Sequence, residues 1–449
     1  MSPSEPTAER SGLSARTEDD AHLARQNRLW DAFLSTANLR EALSRVQANR
    51  GAPGVDGMTT EQLAPWLADH WPEVRKALDE GSYRPSPVRR VSIPKPDGGE
   101  RLLGVPTVLD RLIQQAIAQV LTPVFDPGFS SSSYGFRRGR SAHQAVQVAS
   151  RHIEEGYRQV VDLDLERFFD RVCHDVLMAR VARKVCDRKL LRLIRAYLEA
   201  GVMVEGVRQP TEEGTPQGSP LSPLLSNIML DDLDRELEKR GHRFVRYADD
   251  VRIFARSRRA AERVMAGVTG FVEGRLRLRV NREKSSVRPA SSATLLGFGF
   301  FFAPGGRVKV RVAPKAAKRL KGRLRQLTRR GWRVSMELRI GALNKFTRGW
   351  MAYFRLAETP GVFTQLDKWL YRRMRQVRWK EWKRYAARRR NLCGLGIPTR
   401  DARRWAASGK GCWRIAASPV LQRALPRAYW EGLGLRSLSQ SWLRQRTAT

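Results

Sequence analysis

The sequence predicts an α+β fold that is divided into several domains. Its 449 residues are enough for about three domains of ordinary size. In residues 1–306, segments with helical spacing of apolar side chains alternate with short β-prone runs, whereas helical spacing dominates afterwards. These patterns indicate a mixed front part followed by an α-helical part.

The first elements of the front part are a helix and a strand. Apolar residues recur at helical spacing over 105–121 after a Pro-Thr entry, and we expect Pro123 to end this helix. Residues 159–165 alternate as a β-strand. Because side chains alternate between the two faces of a strand, Asp162 and Asp164 share the face opposite the apolar residues.

Later segments supply a hairpin and two basic helices. Residues 244–255 contain two β-prone runs around Ala-Asp-Asp, which predicts a tight hairpin with carboxylates at its tip. Helical spacing returns over 313–330 and again from Leu366, each time with Lys and Arg on the opposite face. Turns are expected in the Gly- and Pro-rich stretches 51–57 and 93–106.

Positive charge is concentrated in the last third of the chain. The whole sequence carries 83 Lys and Arg against 45 Asp and Glu, a net charge of +38. Residues 307–449 hold 37 of the basic and 6 of the acidic residues, a net +31, which leaves +7 for the rest. Solubility alone does not require such an excess. The charge therefore favours a polyanionic partner, nucleic acid above all.

Several classes of protein are excluded by the same sequence. The longest apolar stretch, 295–303, is too short to span a membrane, so we expect no membrane partner. The first 20 residues are polar and lack the apolar region of a secretory signal, which predicts a disordered leader in a cytoplasmic protein. The four cysteines form no Cys-x-x-Cys pair, so neither a disulfide framework nor a zinc ribbon is expected.

Two acidic clusters, 161–170 and 247–250, are candidates for catalysis. Asp side chains on rigid strands suit Mg²⁺, and in-line phosphoryl transfer is well served by two such ions. An Asp-Asp pair alone is more commonly a surface turn, but here apolar strands flank the pair. Within the first cluster, Asp162, Asp164 and Asp170 remain alternatives on the residues alone.

With these motifs in place, the chain closely resembles a known family, the group II intron-encoded reverse transcriptases, also called maturases. The resemblance extends over about residues 40–400 and implies a right-hand polymerase with fingers, palm and an α-helical thumb. It rests on ordered blocks that include NRGAPGVDG (49–57), IPKPDGGERLLGVPTVLDRLIQQAI (93–117), SYGFRRGRSAHQAV (133–146), DLDLERFFDRVCHDVL (162–177), GTPQGSPLSPLLSNIMLDDLDREL (214–237), FVRYADD (244–250), LRVNREKSSV (278–287), LLGFGF (295–300) and LNKFTRGWMAYFRLA (343–357).

The resemblance implies catalytic roles for single residues. It assigns Asp164, Asp249 and Asp250 to a metal-binding catalytic triad, with the backbone carbonyl of Leu165 completing a metal shell. Phe169 resembles the steric gate that excludes a ribose 2′-hydroxyl, although core packing would also explain it. The implied metals are two Mg²⁺ ions, for which Mn²⁺ is a substitute.

The resemblance also implies contacts to nucleotides. Lys95 and Arg101 lie where related fingers grip the incoming dNTP triphosphate, as a point charge and a planar fork. Gln217 offers an amide to the nascent base pair or templating nucleotide, and Lys284 neutralises phosphate near the site. Surface positions without such a role are the alternative for Lys95, Arg101 and Lys284.

The resemblance further divides the chain into domains. We expect a leader over 1–40, fingers and palm over 41–305, a thumb or maturase domain over 306–400 and a short basic DNA-binding segment over 401–449. Many relatives end in an HNH endonuclease, but all six His precede residue 243, so that nuclease is expected to be absent. The arginines expected to bind RNA in the thumb are Arg348, Arg372, Arg373 and Arg375.

The predicted function is RNA-directed DNA polymerisation, a nucleotidyl transfer, by a protein that also assists splicing of its intron RNA. The resemblance implies retrohoming of a mobile element in the bacterial cytoplasm, at the nucleoid when the protein is on target DNA. The expected partners are the intron RNA, an RNA template with a DNA primer, target DNA and dNTPs. Two alternatives stay open: an RNA-binding splicing cofactor with an idle polymerase, and a reverse transcriptase domesticated in a defence system.

Overall fold

The structure is a computed structural model that describes residues 29–94, 100–204, 207–209, 214 and 218–447. For Arg101, Val204, residues 207–209 and Thr447 only the backbone is described. The chain forms two compact units, the first ending at Arg288 and the second beginning at Pro289. Across the described ranges, no helix combines the length and the apolar character needed to cross a membrane.

The helices of the first unit supply most of its apolar core. They are α1 (Leu29–Leu34), α2 (Thr36–Asn49), α3 (Leu63–Glu80), α4 (Val108–Phe125), α5 (Ala142–Glu154), α6 (His174–Val181), α7 (Arg188–Leu198), α8 (Ser222–Lys239) and α9 (Arg258–Arg275). Helix α4 is apolar on most sides, and Leu112, Ile113 and Ile117 are almost fully buried. Such all-round burial is typical of a helix in the centre of a domain.

The prediction that Pro123 ends this central helix is wrong. Helix α4 begins after the N-cap Thr107, as the Pro-Thr entry predicted, but continues through Pro123 to Phe125. Proline lacks only one backbone donor, and in the last turn of a helix that loss affects a single bond. The backbone N–H of Asp126 still reaches the Thr122 carbonyl and closes the helix.

One sheet of the first unit has four strands in the order β2-β1-β4-β5. They are β1 (Val88–Pro94), β2 (Glu100–Val105), β4 (Val202–Val204) and β5 (Val207–Gln209). Strands β1 and β2 are antiparallel from Arg89 opposite Val105 to Pro94 opposite Glu100. The turn expected over 93–106 is therefore largely a strand pair. Its Gly- and Pro-rich connection, 95–99, lies outside the described residues.

The second sheet of this unit carries the acidic motifs. Its strands are β3 (Gln159–Leu163), β6 (Arg243–Tyr247), β7 (Asp250–Ala255) and β8 (Ser286–Pro289), in the order β6-β7-β3-β8. The predicted hairpin is confirmed as β6 and β7, which pair up to Tyr247 opposite Asp250. Strand β3 pairs antiparallel with β7, which places Asp162 opposite Arg252. Val161 and Leu163 are buried while Asp162 and Asp164 are not, as the alternation predicted.

The second unit combines a small sheet with helices. Its strands β9 (Thr294–Leu295), β10 (Phe298–Phe302) and β11 (Val308–Val312) pair in the order β11-β10-β9. Helix α10 confirms the basic helix expected over 313–330, and α12 the one expected from Leu366. The helices are α10 (Pro314–Leu327), α11 (Met336–Tyr353), α12 (Pro360–Glu381), α13 (Tyr385–Gly394), α14 (Thr399–Ala406), α15 (Cys412–Ile415), α16 (Pro419–Ala424), α17 (Arg427–Gly432) and α18 (Leu438–Thr447).

The last helix, α18, is held onto α12 by a buried carboxylate. Asp367 accepts hydrogen bonds from the backbone N–H groups of Leu438 at 2.8 Å and Ser439 at 2.9 Å. It also accepts from the hydroxyls of Ser437 and Ser439, each at 2.7 Å. The carboxylate thereby occupies the N-terminus of α18, where negative charge is favourable.

The strand pairs and helix contacts of the second unit cross the predicted domain boundaries. The sequence predicts these boundaries after residues 305 and 400. In the structure, β10 pairs with β11 from Phe298 to Phe302, and α18 packs on α12 through Asp367. Residues 289–305 and 401–447 are therefore parts of the second compact unit.

Candidate active site

An open cleft of about 1410 Å³ lies within the first unit, at the ends of the strands that carry the acidic motifs. Its walls come from α2, β2, the segment after β3, the start of α8 and the segment before β8. Asp164, Asp249, Phe169, Gly218 and Lys284 all line it. Motifs that are more than 100 residues apart in sequence thus meet at one place.

Asp164 stands just beyond the end of β3, where a neighbouring segment fixes its backbone. Its N–H donates to the Ser285 hydroxyl at 3.0 Å, and its carbonyl accepts from the Asn281 N–H at 2.9 Å. Leu165 continues this pairing through a bridge to Val280 and is buried. The Asp164 backbone is therefore restrained while its half-buried side chain lines the cleft.

Asp249 occupies the turn of the β6–β7 hairpin. The preceding residue, Ala248, has a φ of +58°, a left-handed conformation that is uncommon for residues other than glycine. The Ala248 carbonyl accepts a hydrogen bond from the buried Arg246 guanidinium at 3.0 Å. This bond stabilises the tight turn that places Asp249 at the cleft.

Two further acidic residues of these motifs, Asp162 and Asp250, face arginines. Arg252 pairs with Asp162 at 2.8 Å and also contacts the carboxylate of Asp250. Arg288 lies 3.7 Å from the second oxygen of Asp162. Burial raises the pKa of Asp162, against the effect of these two cations. The two arginines thus balance the negative charge of Asp162. Asp250 shares Arg252 with Asp162.

The donors at the cleft are compatible with a divalent cation. Asp164 and Asp249 both line the cleft and offer the hard oxygen ligands that Mg²⁺ prefers. Within the described ranges, no three His, Cys, Asp or Glu residues are placed to hold a metal by themselves. Mg²⁺ is often bound by one or two carboxylates together with substrate phosphates. Two carboxylates in an open cleft fit this mode of binding.

Phe168 and Phe169 follow in a short 3₁₀ turn, Phe168–Asp170, and differ in exposure. Both rings line the cleft, but Phe168 is almost fully buried in the core, whereas Phe169 is half-buried. Their rings pack edge to face with centroids 5.1 Å apart. The Phe168 ring thus packs against Phe169 and supports its position at the cleft.

Of the four remaining predicted nucleotide contacts, the structure describes the side chain of Lys284. Lys284 is exposed and lines the cleft, and its backbone N–H donates to the Asn281 side-chain oxygen at 3.2 Å. Lys95 and Gln217 lie outside the described residues, and for Arg101 only the backbone in β2 is described. Their roles stay predictions.

One cleft residue that sequence reasoning missed is Phe136. It lies in the SYGFRRGRS block and lines the cleft, yet 53% of its surface is exposed. The signal that could have found it is a large aromatic between Gly135 and two arginines, in a stretch otherwise typical of a polar loop.

Three of the four arginines predicted to bind RNA hold the second unit together. Arg372 donates to the Trp413 carbonyl at 3.0 Å, and its guanidinium carbon lies 3.9 Å from the centroid of the Trp413 ring. Arg373 donates to the Thr328 hydroxyl at 2.9 Å, and Arg375 to the Ala416 carbonyl at 2.8 Å. Burial lowers the pKa of both Arg373 and Arg375. Arg348 is exposed on α11.

Comparison with known proteins links this cleft to a family. Residues 93–300 match the family model described as reverse transcriptase (RNA-dependent DNA polymerase), and residues 317–394 match the group II intron maturase-specific domain. The first match covers both sheets of the first unit except most of β1, and the second runs from within α10 to the end of α13.

Curated relatives agree with these matches. Protein YkfC of Escherichia coli is 33% identical over 56% of this chain and 76% of its own length. The group II intron-encoded protein LtrA of Lactococcus lactis is 35% identical over 43% of this chain and 32% of its own. An uncharacterized 91 kDa protein in the cob intron of Schizosaccharomyces pombe is 31% identical over 50% and 28%, respectively. The chain thus covers about a third of these last two relatives.

The order of the matched domains is the order of the two compact units, and the acidic residues of the cleft lie inside the reverse transcriptase match. Both domain matches and the similarity to intron-encoded proteins point to the same assignment. The chain therefore belongs to the group II intron-encoded reverse transcriptases, RNA-directed DNA polymerases in which a maturase-specific domain follows the polymerase domain.

Proposed function

We propose that this chain extends a DNA primer on an RNA template and that it acts on a group II intron RNA. The observation that carries the proposal is the meeting of Asp164 and Asp249, from the end of β3 and the β6–β7 turn, in one open cleft. Two carboxylates on rigid elements are what metal-assisted nucleotidyl transfer requires.

The proposed reaction is an attack by the primer 3′-hydroxyl on the α-phosphorus of a dNTP, with pyrophosphate as the leaving group. Two Mg²⁺ ions, replaceable by Mn²⁺, would lower the barrier by neutralising the charge that develops on the phosphoryl oxygens. Asp164 and Asp249 would hold these ions, and the Leu165 carbonyl and Asp250 are further proposed ligands. For Asp250 to serve, its carboxylate has to leave Arg252, which it contacts in the structure.

Other cleft residues would select and hold the nucleotide. Phe169 is proposed to exclude the 2′-hydroxyl of a ribonucleotide, because its ring lines the cleft and is backed by the buried Phe168. Lys284 would attract phosphate as an exposed cation at the same cleft. Lys95, Arg101 and Gln217 remain proposed contacts to the incoming nucleotide.

The second unit is proposed to bind the intron RNA and so assist splicing. Support comes from the match of residues 317–394 to the maturase-specific domain and from the excess positive charge after residue 306. Binding of target DNA by 401–449 and copying of the intron during retrohoming are parts of the same proposal. Arg348 is the exposed member of the predicted RNA-binding arginines.

The test is extension of a DNA primer on an RNA template by the full chain with dNTPs and Mg²⁺. We expect the wild type to extend the primer and Asp249→Asn to lose extension while it keeps its affinity for RNA. Asp69→Asn, at an exposed position on α3, is the matched control and is expected to extend normally. Tight RNA binding without extension by the wild type would overturn the polymerase proposal and favour a splicing cofactor instead.

A further inference from the structure

The cleft contains an exposed aromatic side chain to which the proposed reaction assigns no role. Phe136 lines the cleft together with Asp164 and Asp249, and its side chain stands open to solvent. Its φ is +61°, in the left-handed region that bulky residues rarely adopt. An aromatic ring in water and a strained backbone are both unfavourable, so this arrangement is maintained by its surroundings.

On the N-terminal side, Phe136 is fixed against the turn that carries Asp249. Gly135 packs so closely on this turn that a Cβ atom at residue 135 would overlap the backbone nitrogen of Ala248. Its carbonyl accepts a hydrogen bond from the buried Asn227 side chain at 3.0 Å. Just before it, the Tyr134 N–H donates to the Arg246 carbonyl at 2.9 Å.

On the C-terminal side, Arg137 anchors the same loop. Its guanidinium donates to the Asp126 carboxylate at 2.7 Å and to the Asp126 carbonyl at 2.8 Å. It also donates to the carbonyls of Ser130 at 2.6 Å and Ser133 at 3.1 Å. The Arg137 side chain is almost fully buried by these bonds. Phe136 is therefore held in the cleft by restraints on both neighbours.

The surroundings of Phe136 indicate what its ring would contact. The same cleft is lined by the exposed cations Arg167, Arg282 and Lys284, which attract phosphates. Leu102 on β2 also lines it and is 41% exposed, so the cleft offers apolar surface as well. A ligand that combines phosphates with flat apolar faces is a nucleic acid strand, whose bases stack on aromatic side chains.

We propose that Phe136 stacks on a nucleobase of the primer–template beside the reacting primer end. The inference rests on the proposed function and adds a substrate contact to it. Because Gly135 packs on the Ala248 backbone, the ring and Asp249 are positioned by the same turn. Stacking would thus fix the position of the primer end relative to the carboxylates of Asp164 and Asp249. Every base has a π-face, so the contact would be independent of sequence.

The test uses an RNA template that carries 2-aminopurine at each position flanking the primer end in turn, annealed to a dideoxy-terminated DNA primer. Fluorescence reports stacking of the probe, and single-nucleotide extension of an ordinary primer gives KM and kcat. The variants are Phe136→Ala, Phe136→Leu and Phe136→Tyr. Phe302→Ala, at a partly exposed ring on β10 in the other unit, is the matched control.

We expect Phe136→Ala to abolish the probe's stacking signal at one position and to raise the primer–template KM by roughly 5- to 100-fold. Phe136→Tyr should restore both values, Phe136→Leu should not, and Phe302→Ala should match the wild type. Full restoration by Leu, or an unchanged signal in the Ala variant, would overturn the inference. A wild type that shows the Phe136-dependent signal but extends no primer would contradict the proposed polymerase function and leave the stacking contact standing.

Discussion

At the scale of single residues, the acidic side chains of the two motifs have different surroundings. Asp164 and Asp249 line the cleft, whereas Asp162 lies between Arg252 and Arg288. Asp250 adjoins Asp249 in sequence but contacts Arg252. Neighbouring residues of the hairpin thus have different surroundings: Asp249 lines the cleft, whereas the carboxylate of Asp250 contacts Arg252.

Phe169 gives a prediction at this scale. Phe169→Val should lower the preference for dNTPs over rNTPs by roughly 10- to 100-fold, because a smaller side chain leaves room for the 2′-hydroxyl. The measurement is kcat/KM for dCTP and CTP in single-nucleotide extension. Phe33→Leu, at a fully buried position on α1 that does not line the cleft, is the control, and it should lower stability without changing this ratio. Equal discrimination by Phe169→Val and the wild type would show that the ring only packs.

At the scale of elements, a buried network joins the β6–β7 hairpin to α8. Arg246 on β6 and Asp234 on α8 have no exposed side-chain surface and form a forked ion pair, with one N–O distance of 2.8 Å. Arg246 also donates to Asn227 at 2.9 Å and to the Ala248 carbonyl. Removing one member of such a pair leaves an uncompensated buried charge.

This network predicts a separation of stability from activity. Arg246→Met should reduce the free energy of unfolding by about 3–5 kcal/mol, because Asp234 loses its partner. The double variant Arg246→Met/Asp234→Leu should regain most of that stability, but its kcat should stay low because the Ala248 carbonyl still lacks its donor. Denaturant unfolding and single-turnover extension measure the two quantities. Wild-type kcat in the double variant would refute a positioning role for Arg246.

The anchor of α18 predicts a local effect in the second unit. Asp367→Ala removes the acceptor for Ser437, Leu438 and Ser439, so backbone amides of α18 should exchange with solvent at least about tenfold faster, a change of about 1.4 kcal/mol. Hydrogen exchange read by mass spectrometry measures this. Glu337→Ala, an exposed carboxylate on α11, is the control and should leave α18 unchanged. Unchanged exchange in Asp367→Ala would mean that apolar contacts alone hold the helix.

At the scale of the whole molecule, the two compact units divide the chemistry and the charge. The acidic cleft lies in the first unit, and residues 307–449 of the second carry a net charge of +31. Part of that charge serves the fold, since Arg372, Arg373 and Arg375 donate to groups within the unit. The exposed cations of α10 are therefore better candidates for contacts with phosphates.

The charge distribution predicts the salt dependence of RNA binding. Lys318→Gln with Lys321→Gln, both exposed on α10, should reduce the slope of log affinity against log salt by about 1.5, because two phosphate contacts are lost. The control removes two exposed charges from the first unit, Lys76→Gln with Lys239→Gln, and should leave the slope unchanged. Filter binding of intron RNA over a range of salt concentrations measures both. Identical slopes for the two pairs would argue against α10 as an RNA contact.

Local patterns predicted most of the elements, and long-range contacts account for what they missed. The alternation in 159–165 placed Asp162 and Asp164 on one face correctly, because this depends only on the strand's own geometry. That Asp162 and not Asp164 meets Arg252 depends on the register between β3 and β7, which are separated by about 90 residues. Likewise, the exposure of Phe136 follows from the packing of Gly135 against Ala248. Neither contact can be predicted from the spacing of residues along the sequence.

The central claim is that Asp164 and Asp249 form one catalytic site, and a double-mutant cycle tests it most directly. Single-turnover extension on an RNA template would be measured for Asp164→Asn, Asp249→Asn and the double variant, with Asp162→Asn as the control. If the carboxylates act as a unit, each single change should slow extension by roughly 100-fold or more, and the double variant should be little slower than either. Asp162→Asn should stay within about tenfold of the wild type, since its loss is mainly structural. Independent, additive losses, or near-normal extension by Asp164→Asn or Asp249→Asn, would contradict the claim.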